Sequence, residues 1–145
     1  RVPLIARWPG RVPAGALRDD LVGLVDIPAT LVEVAGGRQP AGALDDSISF
    51  LPALLGKDHR PARTSMLQHH TGNVIRQGSW KLITQLGSGG FSEPRRESST
   101  ADGPSGQLYD LAADPGETTN LWLENPDVVR RLLRERAQLL AVPRR

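Results

Sequence analysis

Two adjacent histidines, His69 and His70, are the residues whose type and position most clearly suggest chemistry. They end a segment that alternates apolar and polar residues, and consecutive side chains of a β-strand point to opposite faces. At most one of the pair therefore faces a given pocket. An imidazole in that position could donate to an anionic substrate oxygen or protonate a leaving group. An ordinary histidine at a strand end is the alternative, and the two residues alone leave both interpretations open.

Other residue clusters predict neither a metal site nor a phosphate site. The doublets Asp19-Asp20 and Asp45-Asp46 have no histidine or further aspartate at ligand spacing, so we interpret them as caps and loop residues. The run GSGG at residues 87–90 lacks the Gly-Lys-Ser/Thr ending of a phosphate loop, and no helical pattern follows it. We expect no catalytic residue and no metal ligand in this chain.

The composition excludes several classes of protein. The chain has 145 residues, 39% of them hydrophobic, and no cysteine, which rules out disulfide scaffolds, thiolate zinc sites and cysteine nucleophiles. Aromatic residues make up 4%, too few for a stacking platform on nucleic acid. No apolar run reaches the ~18 residues of a membrane span. The basic cluster near the end is interpreted as a solvated helix face, with an anion-binding patch as the alternative; it consists of Arg130, Arg131, Arg134, Arg136, Arg144 and Arg145.

The first part of the chain has the pattern of a strand followed by helices. Residues 2–8 form a nearly continuous apolar run, typical of a strand buried on both faces of an α/β sheet. A helical pattern covers residues 20–35, and Pro28 divides it so that Asp26 caps a helix starting near Ile27. A short helix is predicted at residues 50–55. The stripe that we expect to be buried comprises Leu21, Leu24, Val25, Leu31 and Val32.

The second part alternates with a period of two, which is typical of β-strands. Strands are predicted at residues 64–70 and 107–111, and a hairpin turns at Gln77-Gly78, placing Ile75 opposite Trp80. We expect the stem of Lys81 to pack beside Trp80. Residues 86–106 are predicted to form an exposed loop. The last helix, residues 126–141, is predicted to bury Val129, Leu132, Leu133, Ala137 and Leu140.

Seven segments, in order, resemble the C-terminal portion of the sulfatase family, most closely bacterial arylsulfatase-like enzymes. The most specific are IRQGSWKLI at residues 75–83 and LYDLAADPGETTNL at residues 108–121. The others are RVPLIARWPGRVPAG, LVDIPATLVEVAG, DDSISFLPALLGK, GSGGFSEP and NPDVVRRLL. The resemblance implies an alkaline-phosphatase-like α/β fold that ends in a small antiparallel sheet with a packed terminal helix, an α+β unit. Residues 1–60 would end the catalytic α/β domain, and residues 61–145 would form the C-terminal subdomain.

The resemblance also implies the reaction. Such enzymes cleave sulfate esters with a formylglycine nucleophile and a calcium ion, both of which the family pattern places before Arg1. The partners would be a sulfated small molecule or sulfated sugar and the N-terminal catalytic part of the same polypeptide. Family members often work outside the cytoplasm, so a periplasmic or secreted location is expected. The resemblance favours a substrate-binding role for His69 or His70.

Two other functions remain open at this level. A phosphodiester or phosphonate hydrolase of the same superfamily would have a similar C-terminal sheet and hairpin. A non-catalytic accessory module that has lost the catalytic half is the third hypothesis. The sequence that precedes Arg1 distinguishes all three.

Overall fold

The computed structural model describes residues 3–39, 41–57, 61–68, 73–89 and 92–142. The chain divides into two compact units, one up to Thr64 and the other from Ser65 onwards. Among the described residues, no helix combines the length and the apolar character needed to cross a lipid bilayer. Each unit has its own packing.

The first unit contains two short helices joined by a buried polar cluster. A single 3-10 turn, Leu24–Asp26, leads into α1 (Ile27–Val34), and α2 is Leu51–Leu54. Pro28 lies in the first turn of α1. Backbone N–H groups of the first turn have no acceptor within the helix, so a proline there loses no hydrogen bond. Two glycines with φ of +73° and +66°, Gly36 and Gly56, follow the helices. This left-handed backbone is typical of glycine after a helix end.

Asp26 is at the predicted position but has a different role. It lies at the N-terminus of α1, yet its side chain makes no capping hydrogen bond. Its carboxylate instead accepts from the backbone N–H groups of Gly23 at 2.9 Å and Ile48 at 3.0 Å. The Arg63 guanidinium completes the set, with Nη2 2.5 Å from Oδ1. Asp26 is 2% exposed, so this carboxylate is a buried tie between three segments of the first unit.

Three predictions for the first unit are wrong. The helical pattern before Pro28 forms only the 3-10 turn, since residues 20–23 are not helical. Residues 3–8 form no strand, and Ile5 is 89% exposed, because no described strand lies beside this segment to supply ladder hydrogen bonds. The predicted stripe on α1 is also largely exposed rather than buried. The helix packs with its other side, on which Ala29 and Thr30 are buried together with Asp26. The Thr30 hydroxyl accepts from the Phe50 N–H at 3.1 Å, which fixes this side against α2.

The second unit is an antiparallel sheet with strands in sequence order. The strands are β1 (Ser65–Gln68), β2 (Val74–Gln77), β3 (Trp80–Ile83) and β4 (Gln107–Asp110). The predicted hairpin exists, but its register is shifted: Ile75 pairs with Leu82, and Trp80 pairs with Gln77. The turn is Gly78-Ser79 because Gly78, with φ of +58°, takes its first central position. The same side chains still face the core, since a two-residue shift preserves the alternation.

The terminal helix α3 (Pro126–Ala141) covers one face of this sheet. The core is fully apolar and consists of Ile75, Leu82, Leu108, Val129 and Leu132. Farther along α3 the predicted stripe fails: Leu139 packs against this core, whereas Ala137 and Leu140 are exposed. A hydrogen bond of 2.7 Å from the Ser65 hydroxyl to Glu135 Oε1 ties the helix to β1 and turns the Glu135 side of the helix toward the sheet.

Candidate functional site

Two connections leave the sheet at the same end. Gln68, Val74, Ile83 and Gln107 form the last paired row across the four strands. The β1–β2 and β3–β4 connections both begin beyond this row. His69 and His70 belong to the first connection by sequence and lie outside the described residues, so their role stays a prediction.

The side chain of Gln107 holds the start of the long β3–β4 connection against the sheet. Its Nε2 donates to the carbonyl oxygens of Gln85 at 2.9 Å and Gly87 at 3.0 Å. The Tyr109 hydroxyl donates to Gln107 Oε1 at 2.6 Å, which orients the amide. These two residues lie two positions apart on β4 and therefore share one face. The spacing was visible in the sequence, but nothing there indicated which loop the amide would hold.

The two connections are also joined to each other near their ends. The Thr84 N–H donates to the Asn73 carbonyl at 3.0 Å, one position beyond the last row of the ladder. The Thr84 hydroxyl donates to the same oxygen at 3.3 Å. This contact fixes where the β1–β2 connection enters β2. The described part of the site is thus a hydrogen-bonded sheet end from which both connections depart.

Tyr109 acts here as a hydrogen-bond donor and not as a phenolate. Burial raises the pKa of its hydroxyl, and the negative charges of Glu117 and Asp114 raise that pKa further. Near neutral pH the hydroxyl therefore stays protonated, which suits its bond to the Gln107 amide oxygen. Loss of that proton would convert a donor into an acceptor facing another acceptor.

Lys81 is paired with a carboxylate on the face of the sheet opposite α3. Its Nζ lies 2.6 Å from Glu117 Oε2, and both side chains are partly exposed. The prediction that its stem packs beside Trp80 is wrong, since neighbours in a strand face opposite ways. Trp80 packs against the α3 side of the sheet. Lys81 therefore positions Glu117, a residue with φ of +57° in the turn after β4.

Asp114 and Asn120 shape the segment that follows β4. The N–H of Thr119 lowers the pKa of the Asp114 carboxyl; burial opposes this effect, but the N–H and hydroxyl of Thr118 and the N–H of Gly116 add to it, so the pKa lies below its ordinary value. The Asn120 Oδ1 accepts from the Leu108 N–H at 2.9 Å, and its Nδ2 donates to the Gly106 carbonyl at 3.0 Å. The role of Asn120, an ordinary polar residue in the sequence, was not predicted.

Two kinds of site can be compared with the described residues, a metal centre and an anion-binding patch. Within the described ranges, no three His, Cys, Asp or Glu side chains come close enough to hold a metal ion. The basic residues of α3 are distributed over its surface: Arg130 pairs with Asp127, and Arg131 and Arg134 are exposed. Arg144 and Arg145 lie outside the described residues. The geometry is that of a subdomain that presents two loops at one end of a sheet.

Comparison with known proteins identifies the class to which this subdomain belongs. The chain is 34% identical over 134 residues to an N-acetylgalactosamine-6-O-sulfatase of Bacteroides thetaiotaomicron, covering 91% of this chain and 26% of that protein. It is 31% identical over 150 residues to an ulvan-active sulfatase of Formosa agariphila, covering 88% of this chain and 30% of that protein. No protein-family model matches the chain. The chain thus spans between a quarter and a third of the length of these curated relatives.

Solved structures agree with the sequence relatives. One solved structure comes from work on the metabolism of multiple glycosaminoglycans by Bacteroides thetaiotaomicron. It matches this chain with a TM-score of 0.59 and 32% identity, over 79% of this chain and 24% of that one. A sulfatase from Pseudoalteromonas sp. shows the same fold with a TM-score of 0.70 at 20% identity, over 97% of this chain and 30% of that one. The small antiparallel sheet with its terminal helix is the end of a sulfatase fold. The chain belongs to the sulfatase family and corresponds to its C-terminal region.

Proposed function

We propose that the protein to which this chain belongs hydrolyses sulfate esters of sugars. The similarity to an N-acetylgalactosamine-6-O-sulfatase over 91% of the chain is the observation on which this proposal depends. A 6-O-sulfated amino sugar is accordingly the first substrate class to test. The same proposal places the enzyme in the periplasm or outside the cell, because polymers of sulfated sugars lie outside the cell.

The chain's own contribution would be to build and border the substrate end of the cleft. The Gln107 side chain holds the start of the β3–β4 connection, and Tyr109 in turn fixes the Gln107 amide. The Thr84 N–H fixes the end of the β1–β2 connection through the Asn73 carbonyl. Loops held in this way can contact a bound sugar without first losing conformational freedom. The described residues do not fit the calcium ion or the formylglycine of the family reaction. They include no acidic cluster of the required size, and the chain has no cysteine. We propose that the nucleophile and the calcium ligands belong to another part of the polypeptide.

The activity of the complete protein is the direct test. We expect the full open reading frame to release sulfate from 6-O-sulfated N-acetylgalactosamine and from an aryl sulfate. The 145-residue chain alone is expected to give no turnover above a blank, because it lacks the nucleophile. Faster hydrolysis of a phosphodiester or of a phosphonate monoester than of the sulfate esters would favour a phosphodiester or phosphonate hydrolase of the same superfamily. A complete protein with no ester hydrolysis would favour the accessory module.

His70→Ala in the full-length enzyme tests the predicted substrate contact. We expect KM for the sulfated sugar to rise about tenfold, the equivalent of one lost hydrogen bond to a charged group. The melting temperature should stay within about 2 °C of the parent. Gln68→Ala, at the exposed last position of β1, is the matched control and should leave both quantities unchanged. A lower melting temperature with unchanged kinetics would make the histidine structural, and His69→Ala would then show which of the pair, if either, contacts substrate.

A further inference from the structure

The side of α3 that faces away from the sheet is positively charged. Of the four arginines distributed over the surface of this helix, three recur at spacings of three and four residues and share one side: Arg130, Arg131 and Arg134. We call these three residues the basic face of α3. Val129 and Leu132 lie on the opposite side, in the core against the sheet. The helix has four arginines and two acidic residues, so its net charge equals the +2 of the whole chain.

The chain itself neutralises this charge only in part. Arg130 pairs with Asp127, one turn earlier on the same side of the helix. Arg131 and Arg134 are exposed, and neither forms an ion pair with another described residue. Glu135, the other acidic residue of the helix, accepts a hydrogen bond from β1 and is turned toward the sheet. Two guanidinium groups, each with five N–H donors, therefore remain for an external anion.

The basic face is a surface separate from the candidate site. Ser65 and Gln68 are the two ends of β1, and Gln68 belongs to the row that borders the two connections. The Ser65 hydroxyl bonds to Glu135, the residue next to Arg134, so this part of α3 lies beside the other end of the strand. Arginine is almost never fully buried unless it is paired, which places the basic face at the solvent rather than inside the protein.

We propose that the basic face of α3 binds a sulfated polysaccharide outside the catalytic cleft. The inference rests on the proposed function, which makes sulfated sugars the substrate, and it concerns the same sugars joined in a polymer. A guanidinium group is a planar fork of donors that matches two oxygens of a tetrahedral oxyanion. Each exposed contact is weak, but a polymer carries many sulfate groups, and contacts to one polymer add through their high effective concentration.

Charge complementarity favours this polymer over a nucleic acid, the other common polyanion. Proteins that bind single strands add aromatic side chains on which bases stack, and only 4% of this chain is aromatic. A sulfated polysaccharide offers charge and hydroxyl groups without base faces. Arginines without an aromatic platform suit that chemistry.

Binding of chondroitin 6-sulfate to the full-length protein tests the basic face. In the presence of saturating 6-O-sulfated N-acetylgalactosamine, which occupies the cleft, we expect the parent to retain polymer binding. The double variant Arg131→Gln/Arg134→Gln should bind the polymer about fivefold more weakly, because two exposed charge pairs are lost. The affinity of the parent should also fall more steeply with salt than that of the variant, since exposed charges are screened. Hydrolysis of the monosaccharide should be unchanged.

Two further proteins make the test independent of a general charge effect. Arg11→Gln/Arg38→Gln removes the same charge from exposed positions of the first unit and should leave polymer affinity unchanged. Asp127→Asn removes the partner of Arg130 and should strengthen polymer binding about twofold. All variants should keep the melting temperature of the parent within about 2 °C, because the substituted residues are exposed.

Each result decides the proposal. Equal polymer affinity of the parent and the Arg131→Gln/Arg134→Gln protein, or an equal loss in the first-unit control, would overturn it. Complete displacement of the polymer by the monosaccharide would assign binding to the cleft and would also overturn it. Tighter binding of a DNA duplex than of the polysaccharide would give the face to nucleic acid. A protein that hydrolyses no sulfate ester but binds the polymer through these arginines would keep the binding face and reject the proposed function.

Discussion

Replacement of Leu132 by alanine is expected to lower the free energy of unfolding by about 3 kcal/mol. Leu132 is 0% exposed and packs with Ile75, Leu82 and Leu108 between α3 and the sheet. Shortening it leaves a cavity that the surrounding strands cannot fill, because all of them are fixed by ladder hydrogen bonds. Trp80 packs against the same core, so tryptophan fluorescence during denaturant unfolding measures the loss.

Leu140→Ala is the matched control, since it makes the same chemical change on the same helix. Leu140 is 45% exposed, and we expect its replacement to cost less than about 0.5 kcal/mol. The sequence pattern assigned both leucines to one buried stripe, whereas the structure separates them. Equal losses of unfolding free energy in the two variants would contradict this packing and would favour the predicted stripe, in which both leucines are buried.

The second large effect is expected at the buried carboxylate of the first unit. Asp26→Asn should destabilise this unit by about 3 kcal/mol, because it leaves the Arg63 guanidinium without its charged partner. The backbone N–H of Ile48, which donates to Oδ1, loses a charged acceptor in the same change. Amide hydrogen exchange at Gly23 and Ile48 reports on this cluster directly. Asp19→Asn, at an exposed aspartate nearby in sequence, should change neither exchange rate.

The same carboxylate predicts how stability depends on pH. Burial raises the pKa of Asp26, but hydrogen bonds from Arg63, Ile48 and Gly23 and the charge of Arg63 outweigh it and hold that pKa below its ordinary value. A lowered pKa in the folded state stabilises the fold above the unfolded pKa of about 3.9. This contribution is lost as the pH falls through the lower folded pKa. Asp26→Asn should therefore flatten the acid side of the stability profile, and an unchanged slope would contradict this assignment.

Local pattern predicted the elements of the second unit well. Strand-like residue patterns bounded by turn residues placed β1, β2, β3 and β4 close to their observed positions. The hairpin register was wrong because two dipeptides, Gln77-Gly78 and Gly78-Ser79, both offer a glycine to the turn. The choice between them depends on which pairing closes the core, and that pairing places Ile75 opposite Leu82.

The face of a helix was harder to predict than its existence. The position of Pro28 was enough to predict where α1 begins, since the ring fixes the first turn. Its buried side could not be predicted from hydrophobicity, because the helix packs on the polar residues Asp26 and Thr30. Arg63, which completes that cluster, is 37 residues away in sequence from Asp26 and carried no local signal.

The family resemblance was confirmed by proteins similar over most of the chain, while the site residues His69 and His70 stay a prediction. The roles of the residues that lie near the site among the described residues were found only in the structure. Gln107 and Tyr109 share a face by strand alternation, but the loop that the Gln107 amide holds is fixed only when β3 pairs with β4.

The sequence by itself therefore determined the class of fold, the order of the elements of the second unit and the family. Periodicity, proline and glycine act over a few residues, and these features can be interpreted without a partner. Tertiary structure alone decided the hairpin register, the outward face of α1, the Asp26–Arg63 tie and the anchoring of the loops by Gln107. Each of these depends on which distant groups satisfy a buried polar atom or fill a core, and such partners are chosen by packing across the whole unit.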